Sequence, residues 1–399
     1  MGLRLGSGGW VLHAAWSRTA RKKRQRPPPD SRIGCKKASI NYYVMRARSV
    51  PATANAPVRG NIFSVRKPIP VILLLACAAL LPAAKNLEVY SIDVEGGQAT
   101  LFVSPSGESM LVDTGWAGFN HRDAERIAAA AKAAGVKKID YLVITHYHAD
   151  HVGGVPQLAE KMNIRNYVDH GASVETTKDA NVLFNAYSAF RDKGNHIQVK
   201  AGDTIPIKGL DVRVLSAAGN AIGSPVPGAG QPNPECDTFQ LHAADPTENA
   251  QSVGILVSYG DFRMIDLGDL TWNKEKDLVC PVNKIGTVDL YLVSHHGMNM
   301  SGSPQLVHAL HPRVALMNNG AKKGGSPEIW QTIHDSPGLQ DLWQVHFAVA
   351  GGKDHNSADP VIANVDEICE GKWIKVTAQK NGTFTMYNAR NKYEKTYTR

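Results

Sequence analysis

Four residues whose side chains commonly bind divalent metal ions lie within a short stretch of the sequence. His146, His148, Asp150 and His151 form an H-x-H-x-D-H pattern at the end of an apolar run. Imidazole and carboxylate groups suit a borderline divalent ion such as zinc. They can converge only if the backbone turns at this point. The pattern therefore predicts a metal site rather than a polar surface turn.

The neighbouring residues indicate how the chain turns there. Residues 141–145 have the composition of a short buried strand, and residues 155–161 have that of a helix. Gly153 and Gly154 stand between them and would let the chain bend. We therefore expect the metal site on a strand-to-helix loop.

The cluster resembles the signature of the metallo-β-lactamase superfamily. Further motifs follow the order found in the hydrolase domain of the ComEC/Rec2 competence-protein group. They are Ile92-Asp-Val-Glu-Gly-Gly-Gln-Ala99, Asp113-Thr-Gly115, the His146–Gly154 segment, Gly268-Asp-Leu270 and His295-His-Gly297. Two departures are Glu95-Gly-Gly in place of Gly-Gln-Gly, and Gly324-Gly-Ser-Pro327, which lacks the histidine expected before proline. The resemblance implies a hydrolase with two metal ions.

In this superfamily a histidine downstream of the cluster completes the ligand set of the first metal. The resemblance assigns that role to His170, together with His146 and His148. It likewise assigns the metal-bridging carboxylate to Asp269, with Asp266 as the competing candidate. A carboxylate suits bridging because its two oxygens can bind two cations.

The second metal would be held by Asp150, His151 and a histidine of the His295-His296 pair. We expect His295, the first after a predicted strand, to be the ligand, and His296 to orient groups or bind substrate. The reverse assignment stays open.

Two further residues are candidates for supporting roles. Asp113 matches the Asp-Thr-Gly strand end of the family, and we expect it to hydrogen-bond a metal ligand and fix its tautomer; with Asp150 it is our candidate for a catalytic role. His355 lies in a glycine-rich turn, where its side chain would either contact the substrate or simply face solvent.

Periodicity predicts elements in two similar halves. The predicted strands are residues 87–94, 99–104, 110–113, 166–168 and 210–215 in the first half, and 253–259, 262–265, 290–294 and 314–317 in the second. The predicted helices are 123–134, 181–193 and 304–310, besides 155–161. Two sheets with helices on their outer faces would accommodate these two halves. The resemblance specifies an α/β (α+β) fold, a four-layer αββα sandwich with the metals at one edge.

The Gly/Pro/Asn-rich segment 217–251 interrupts this pattern. A loop of this length within a compact domain is usually functional or mobile. We interpret it as an active-site flap, the alternative being a disordered surface insertion within a hydrolase domain covering residues 85–399.

Charge is unevenly distributed along the 399 residues. Residues 1–68 contain 15 Lys or Arg and a single acid, Asp30, whereas residues 69–399 contain 29 basic and 35 acidic residues. The acidic body disfavours nucleic acid as a partner. Residues 1–68 are expected to be a basic extension, either disordered or containing a wrongly placed start; translation from Met45 would leave residues 1–44 outside the protein.

An apolar run at residues 69–81, followed by Pro82-Ala83-Ala84, has the form of a signal peptide. We therefore expect an exported protein, periplasmic or secreted. An uncleaved anchor, or a lipid on Cys77 in a lipobox-like sequence, is the alternative and would give membrane contact. Cys236, Cys280 and Cys369 allow one disulfide, whose pairing the sequence does not select.

The resemblance and the ligand types together predict a hydrolase in which two zinc ions share a hydroxide and attack an ester, phosphodiester, lactone or amide. Iron or manganese remains open as the metal. The alternatives are a non-catalytic metal-binding envelope protein and an iron-dependent redox member of the same fold. The substrate, small molecule or polymer, and the oligomeric state are not specified by the sequence.

Overall fold

The computed structural model describes residues 85–399. The predictions for residues 1–84, including the basic extension, the signal-like segment and the lipid site at Cys77, lie outside the described residues. Within the described part of the chain no helix is long and apolar enough to cross a membrane.

The strands of the described region fall into two large sheets and one small ribbon. In chain order they are β1 (Leu87–Ser91), β2 (Thr100–Val103), β3 (Ser109–Val112), β4 (Lys138–Val143), β5 (Asn163–Asp169), β6 (Asn195–Gln198), β7 (Asp211–Ala217), β8 (Asn220–Ala221), β9 (Gln231–Pro232), β10 (Gly254–Tyr259), β11 (Phe262–Asp266), β12 (Val282–Asn283), β13 (Leu290–Leu292), β14 (Val314–Met317), β15 (Asp341–His346), β16 (Ile362–Asn364), β17 (Ile374–Ala378), β18 (Phe384–Asn388) and β19 (Glu394–Tyr397). The α-helices are α1 (Arg122–Ala133), α2 (Ala149–Val152), α3 (Val155–Ala159), α4 (Lys178–Arg191), α5 (Trp272–Val279), α6 (Pro304–Leu310) and α7 (Pro327–His334).

The first sheet has nine strands in the order β19-β18-β17-β1-β2-β3-β4-β5-β6, and the second has eight in the order β16-β15-β14-β13-β11-β10-β7-β8. Each sheet passes from antiparallel to parallel pairing along its width. In the first sheet β1, β2 and β3 pair antiparallel and β3, β4 and β5 pair parallel. In the second, β7, β10 and β11 pair antiparallel and β11, β13 and β14 pair parallel. The prediction of two similar halves is confirmed.

The two sheets pack face to face, and helices cover their outer faces. Val89 and Phe102 of the first sheet share a buried apolar cluster with Ile255 and Trp343 of the second. A second cluster packs α1, α3 and α4 on the outside of the first sheet, and a third packs α5, α6 and α7 on the second. The result is the predicted four-layer αββα sandwich of the metallo-β-lactamase fold.

Segment 217–251 is more ordered than its composition suggests. It contains β8 and β9, and β9 pairs with β12. A disulfide joins Cys236 to Cys280, which leaves Cys369 as a free thiol. The segment is therefore fastened to the second half of the domain at several points rather than extending as a structureless loop.

Candidate metal centre

The H-x-H-x-D-H cluster follows β4 and passes directly into the short helix α2. His146 comes three residues after the last residue of β4, whereas Asp150 and His151 lie within α2. Gly153 and Gly154 separate α2 from α3 and have negative φ angles, so the turn does not require a left-handed conformation at either glycine. A Cβ on Gly154 would lie 2.2 Å from the carbonyl oxygen of Thr114. The glycine is needed because this turn packs closely against the chain after β3.

Four of the predicted site residues form a compact cluster. The ligand atoms of Asp150, His151, Asp269 and His296 all lie within 4.8 Å of one another, and all four residues are buried. His151 Nε2 is 3.2 Å from Asp150 Oδ2 and 3.2 Å from Asp269 Oδ2. His296 Nε2 is 3.2 Å from Asp150 Oδ2 and 3.5 Å from Asp269 Oδ1.

These separations match a metal-binding set. Ligand atoms at about 2.0–2.2 Å from one tetrahedral zinc are separated by about 3.3 Å. Asp269 Oδ1 is also buried without a hydrogen-bond partner in the described residues. A cation would satisfy this orphaned oxygen, so the residues present fit a divalent metal.

The second sheet delivers its two contributions from loops that follow neighbouring parallel strands. Asp269 lies between β11 and α5, and His296 lies in a 3-10 turn after β13. His295 and His296 have φ values of 53° and 55°, which are uncommon for residues with a Cβ. This left-handed conformation brings both imidazoles to the edge where Asp269 lies.

Of the histidine pair, the structure places His296 in the compact cluster. His295 Nε2 also contacts Asp269 Oδ2, at 3.2 Å, while its Nδ1 faces Ser301 Oγ at 3.2 Å. We expected His295 to be the metal ligand. The contacts instead favour the alternative assignment, in which His296 is the ligand.

His146 and His148 lie beside this cluster. His146 Nε2 is 3.1 Å from His148 Nδ1 and 3.9 Å from Asp269 Oδ2. Asp269 Oδ2 therefore lies near both His146 and His151, 3.9 Å from Nε2 of the first and 3.2 Å from Nε2 of the second. The other nitrogen of His148, Nε2, contacts Glu175 Oε1 at 2.9 Å.

The imidazole of His170 faces Glu248 and Tyr147 rather than His146 or His148. Its Nε2 is 3.0 Å from Glu248 Oε2, and its ring centroid is 4.6 Å from that of Tyr147. Glu248 also accepts hydrogen bonds from the Val174 amide and the Ser173 hydroxyl. Burial alone would raise the pKa of Glu248, but the hydrogen bond and charge of His170 hold it below its usual value.

Asp113 supports the cluster from β3. Its Oδ2 is 2.7 Å from His151 Nδ1 and accepts a hydrogen bond from the Thr145 hydroxyl, and its Oδ1 accepts from the Thr145 amide. Asp113 thus touches a candidate ligand through the ring nitrogen that points away from the cluster. This is the geometry expected of a residue that sets a tautomer.

Asp266, the competing candidate for the bridge, has other partners. Its carboxylate accepts hydrogen bonds from Gln98 Nε2 at 2.8 Å and from the Gly268 amide at 3.0 Å. Burial raises its pKa to about 6. Asp266 braces the loop that carries Asp269 and lies outside the compact cluster.

Opposite charges balance the two cluster carboxylates. Burial would raise the pKa of Asp150, but His151, His296 and Lys323 hold it well below its usual range. Lys323 contacts Asp150 Oδ2 and lies 5.2 Å above the ring of Trp116. Both carboxylates are therefore available as anions, because the histidines hold the pKa of buried Asp269 low in the same way.

His355 is the remaining candidate from the sequence, and three further residues near the centre were not predicted; all of them lie between the strands and α-helices. His355 contacts the ring of Trp330, with centroids 5.5 Å apart, rather than a ligand of the cluster. Glu175, Glu248 and Lys323 were missed, although each contacts a candidate site residue. No spacing or periodicity marks such residues, because their proximity arises from long-range packing of loops.

Comparison with known proteins relates this geometry to a family. Residues 92–231 match the family model described as "Metallo-beta-lactamase superfamily". The chain is 29% identical over 190 residues to ComE operon protein 3 of Bacillus subtilis, covering 47% of this chain and 21% of that protein. It is 23% identical over 289 residues to Recombination protein 2 of Haemophilus influenzae, covering 71% and 31%.

A third relative is Hydroxyacylglutathione hydrolase of Rhodopseudomonas palustris, 34% identical over 100 residues, or 25% of this chain and 32% of that protein. The alignments thus span between about a fifth and a third of the length of these relatives.

Proposed function

Because this chain belongs to the metallo-β-lactamase superfamily, with ComEC/Rec2-type relatives, we propose that it is an exported, dinuclear zinc-dependent hydrolase. Its substrate bond would be an ester, phosphodiester, lactone or amide. The observation that carries the proposal is the compact cluster of Asp150, His151, Asp269 and His296 beside the His146–His148 pair. Hydrolases among the relatives support the reaction class, and the acidic body disfavours a nucleic-acid substrate.

We assign the ligand sets from these contacts. Asp150, His151 and His296 would hold one ion and His146 and His148 the other, with Asp269 between them. When bound, two such ions lower the pKa of a bound water toward 7 and neutralise negative charge that develops on the substrate.

The chain's own groups contribute orientation and charge. Asp113 fixes the ring of His151, and Glu175 fixes the ring of His148. The ammonium of Lys323 lies beside Asp150 and is partly accessible, so it can attract an anionic substrate group once a metal competes for that carboxylate.

We infer that the ordered segment 217–251 borders the substrate side of the centre. Beside the loop after Asp269 lies a cavity of about 210 Å³, lined by His242, Trp272 and Met300 among others. The ring of His242 packs against that of Trp272 with centroids 4.4 Å apart. These contacts support the interpretation of the segment as an active-site border.

Export is supported by the signal-like residues 69–84 and by the Cys236–Cys280 disulfide, because disulfides persist mainly in oxidising compartments. Cell fractionation with N-terminal sequencing of the mature protein tests it. A protein found in the cytosol with residues 1–84 retained would overturn this part of the proposal.

The catalytic part is tested with zinc-loaded protein on a phosphodiester, a lactone, a thioester and a β-lactam chromogen. Turnover of at least one is expected, and Asp150→Asn and His148→Ala should abolish it without unfolding the chain. His334→Ala, at an exposed histidine of α7, is the matched control and should keep full activity. Retained activity in Asp150→Asn, or iron as the native metal with no hydrolysis, would refute the proposal.

A further inference from the structure

A second group of metal-ligating side chains lies outside the candidate centre. Asp93, Glu95, His346 and Cys369 place their ligand atoms within 4.8 Å of one another. Asp93 and Glu95 follow β1 in the first sheet, His346 ends β15 in the second, and Cys369 lies in the loop between β16 and β17. Three distant chain segments thus converge at one place, and the side chains of Asp93 and His346 are fully buried.

The three distances from Cys369 Sγ in this group match those around a single zinc ion, whereas His346 Nε2 and Asp93 Oδ1 lie at hydrogen-bond distance. Cys369 Sγ is 3.2 Å from Asp93 Oδ2, 3.6 Å from Glu95 Oε1 and 3.7 Å from His346 Nε2. His346 Nε2 is 2.9 Å from Asp93 Oδ1 and 3.8 Å from Glu95 Oε2. Tetrahedral zinc with Zn–S of about 2.3 Å and Zn–N or Zn–O of about 2.0–2.2 Å separates its ligand atoms by about 3.2–3.7 Å.

Charge also favours a divalent ion. Arg126 donates to Asp93 Oδ2 at 2.9 Å and to Glu95 Oε1 at 3.0 Å, and it compensates one negative charge. Two carboxylates and a thiolate carry three negative charges, so a dication beside Arg126 and a neutral His346 would make the group neutral overall. Such neutrality matters because an uncompensated buried charge is strongly destabilising.

The thiol of Cys369 is compatible with this site. Without a metal its Sγ–H donates to Asp93 Oδ2 at 3.2 Å. Metal binding releases that proton to solvent, as it does for other thiolate ligands. A cavity of about 320 Å³ lined by Cys369, Ile368 and Lys372 offers a route of entry.

We propose that Asp93, Glu95, His346 and Cys369 bind a structural zinc ion that is separate from the metal centre. The thiolate and imidazole donors suit zinc better than calcium or magnesium, and four protein ligands are typical of a closed structural site.

The position of the site suggests what it stabilises. Glu95 begins the turn that continues through Gly96 to Gly97, and a Cβ on Gly97 would lie 2.4 Å from the carbonyl oxygen of Asp150. His346 exchanges backbone hydrogen bonds with the side chain of Asn319. An ion held by Glu95 and His346 would thus fix the turn that packs against Asp150 and tie the two sheets together.

Cobalt substitution tests the proposal because it distinguishes the two sites. The candidate centre offers only nitrogen and oxygen donors, so a thiolate-to-cobalt charge-transfer band in the full chain loaded with Co²⁺ comes from a cysteine outside it, and Cys369→Ser separates Cys369 from Cys35 and Cys77. We expect this band in the native chain and in His296→Ala. In Cys369→Ser we expect the band to disappear and the chain to lose about one equivalent of bound metal. A native chain whose centre is loaded but which lacks the band, or a Cys369→Ser chain that keeps the band and the metal, would overturn the proposal.

Thiol alkylation of the native chain gives an answer even if Cys369→Ser does not fold. Mass spectrometry of the Cys369 peptide should show protection with Zn²⁺ present and modification after a chelator removes it. Equal modification in both conditions would contradict the site. The result does not depend on whether the candidate centre is hydrolytic.

Discussion

Asp113 Oδ2 lies 2.7 Å from Nδ1 of His151, and both side chains are fully buried. The contact joins the end of β3 to the helix that follows β4. Because the carboxylate accepts, the proton of the imidazole resides on Nδ1, and Nε2 is left to face Asp150 and Asp269. Asp113 therefore holds the ring of His151 with Nε2 towards the cluster.

Replacement of Asp113 by Asn should weaken metal binding while preserving the fold. The amide has nearly the same shape but no charge, and its NH₂ group can force the proton of His151 onto Nε2. Loss of such a supporting carboxylate typically costs about 10–100-fold in metal affinity. Competition with a zinc chelator measures this change.

Asp140→Asn is the matched control, because Asp140 is a buried aspartate of β4 that bonds Ser109 and Lys138 and contacts no candidate ligand. Its zinc affinity should equal that of the native chain. Equal affinity in Asp113→Asn and Asp140→Asn would show that Asp113 has no role in orienting His151.

The adjacent histidines His295 and His296 should respond differently to truncation. His296 belongs to the compact cluster, whereas His295 contacts only one of its carboxylates. We therefore expect His296→Ala to lose about one equivalent of metal and His295→Ala to keep it. Metal content per chain after gel filtration, measured by elemental analysis, distinguishes the two variants.

The two substitutions control each other, since both residues have left-handed backbone angles and both are buried. If His295→Ala loses the metal and His296→Ala does not, the ligand is His295, as the position directly after the strand first indicated.

The parts of the site that sequence predicted are those encoded locally. His146 to His151 occupy consecutive positions after one strand, so their proximity follows from a single turn. Asp269 and the His295-His296 pair follow neighbouring parallel strands, whose carboxyl ends meet at one sheet edge. The local sequence pattern and the parallel pairing of the strands were together enough to predict that these residues lie close to one another.

Other features depend on pairing between distant segments. The final strands β17, β18 and β19 return to the first sheet, where β17 pairs with β1 across almost the whole domain. No periodicity specifies such a partner, and no strand was predicted beyond residues 314–317, which form β14. Cys369 lies in the loop that leads into this return, and His346 reaches Asp93 from the other sheet, so their cluster was not visible in the sequence.

Glu248 should be a major stabilising residue of the loop 217–251. It is buried and accepts hydrogen bonds from the Val174 amide at 2.7 Å, the Ser173 hydroxyl at 2.9 Å and the Tyr147 amide at 3.3 Å, besides its contact with His170. Glu248→Ala leaves several buried donors without an acceptor. We expect a loss of about 3 kcal/mol in the free energy of unfolding, measured by urea denaturation with zinc present.

Glu394→Ala removes an exposed carboxylate from β19 and should change that free energy by less than about 0.5 kcal/mol. A Glu248→Ala chain as stable as Glu394→Ala would mean that water replaces the lost acceptor and that the loop is not fastened through this residue.

Glu275 should make the stability of the domain depend on pH. It lies in α5, is fully buried, and accepts hydrogen bonds from the Gly302 amide at 2.7 Å and the Ser303 amide at 2.9 Å, at the start of α6. Burial outweighs these donors and raises its pKa to about 7, from an ordinary value of 4.5. Between these two values the folded chain binds the proton more tightly than the unfolded chain, so stability falls as pH rises through this window.

Glu275→Gln isolates this effect, because glutamine does not titrate and the other groups are common to both chains. The native chain should lose up to about 3 kcal/mol relative to Glu275→Gln as the pH rises from 4.5 to 7. Urea unfolding of both proteins across this range gives the difference directly, whatever the constant offset caused by the amide. A difference independent of pH would mean that the two amide donors keep Glu275 ionised throughout, and that burial is the weaker of the two opposing influences.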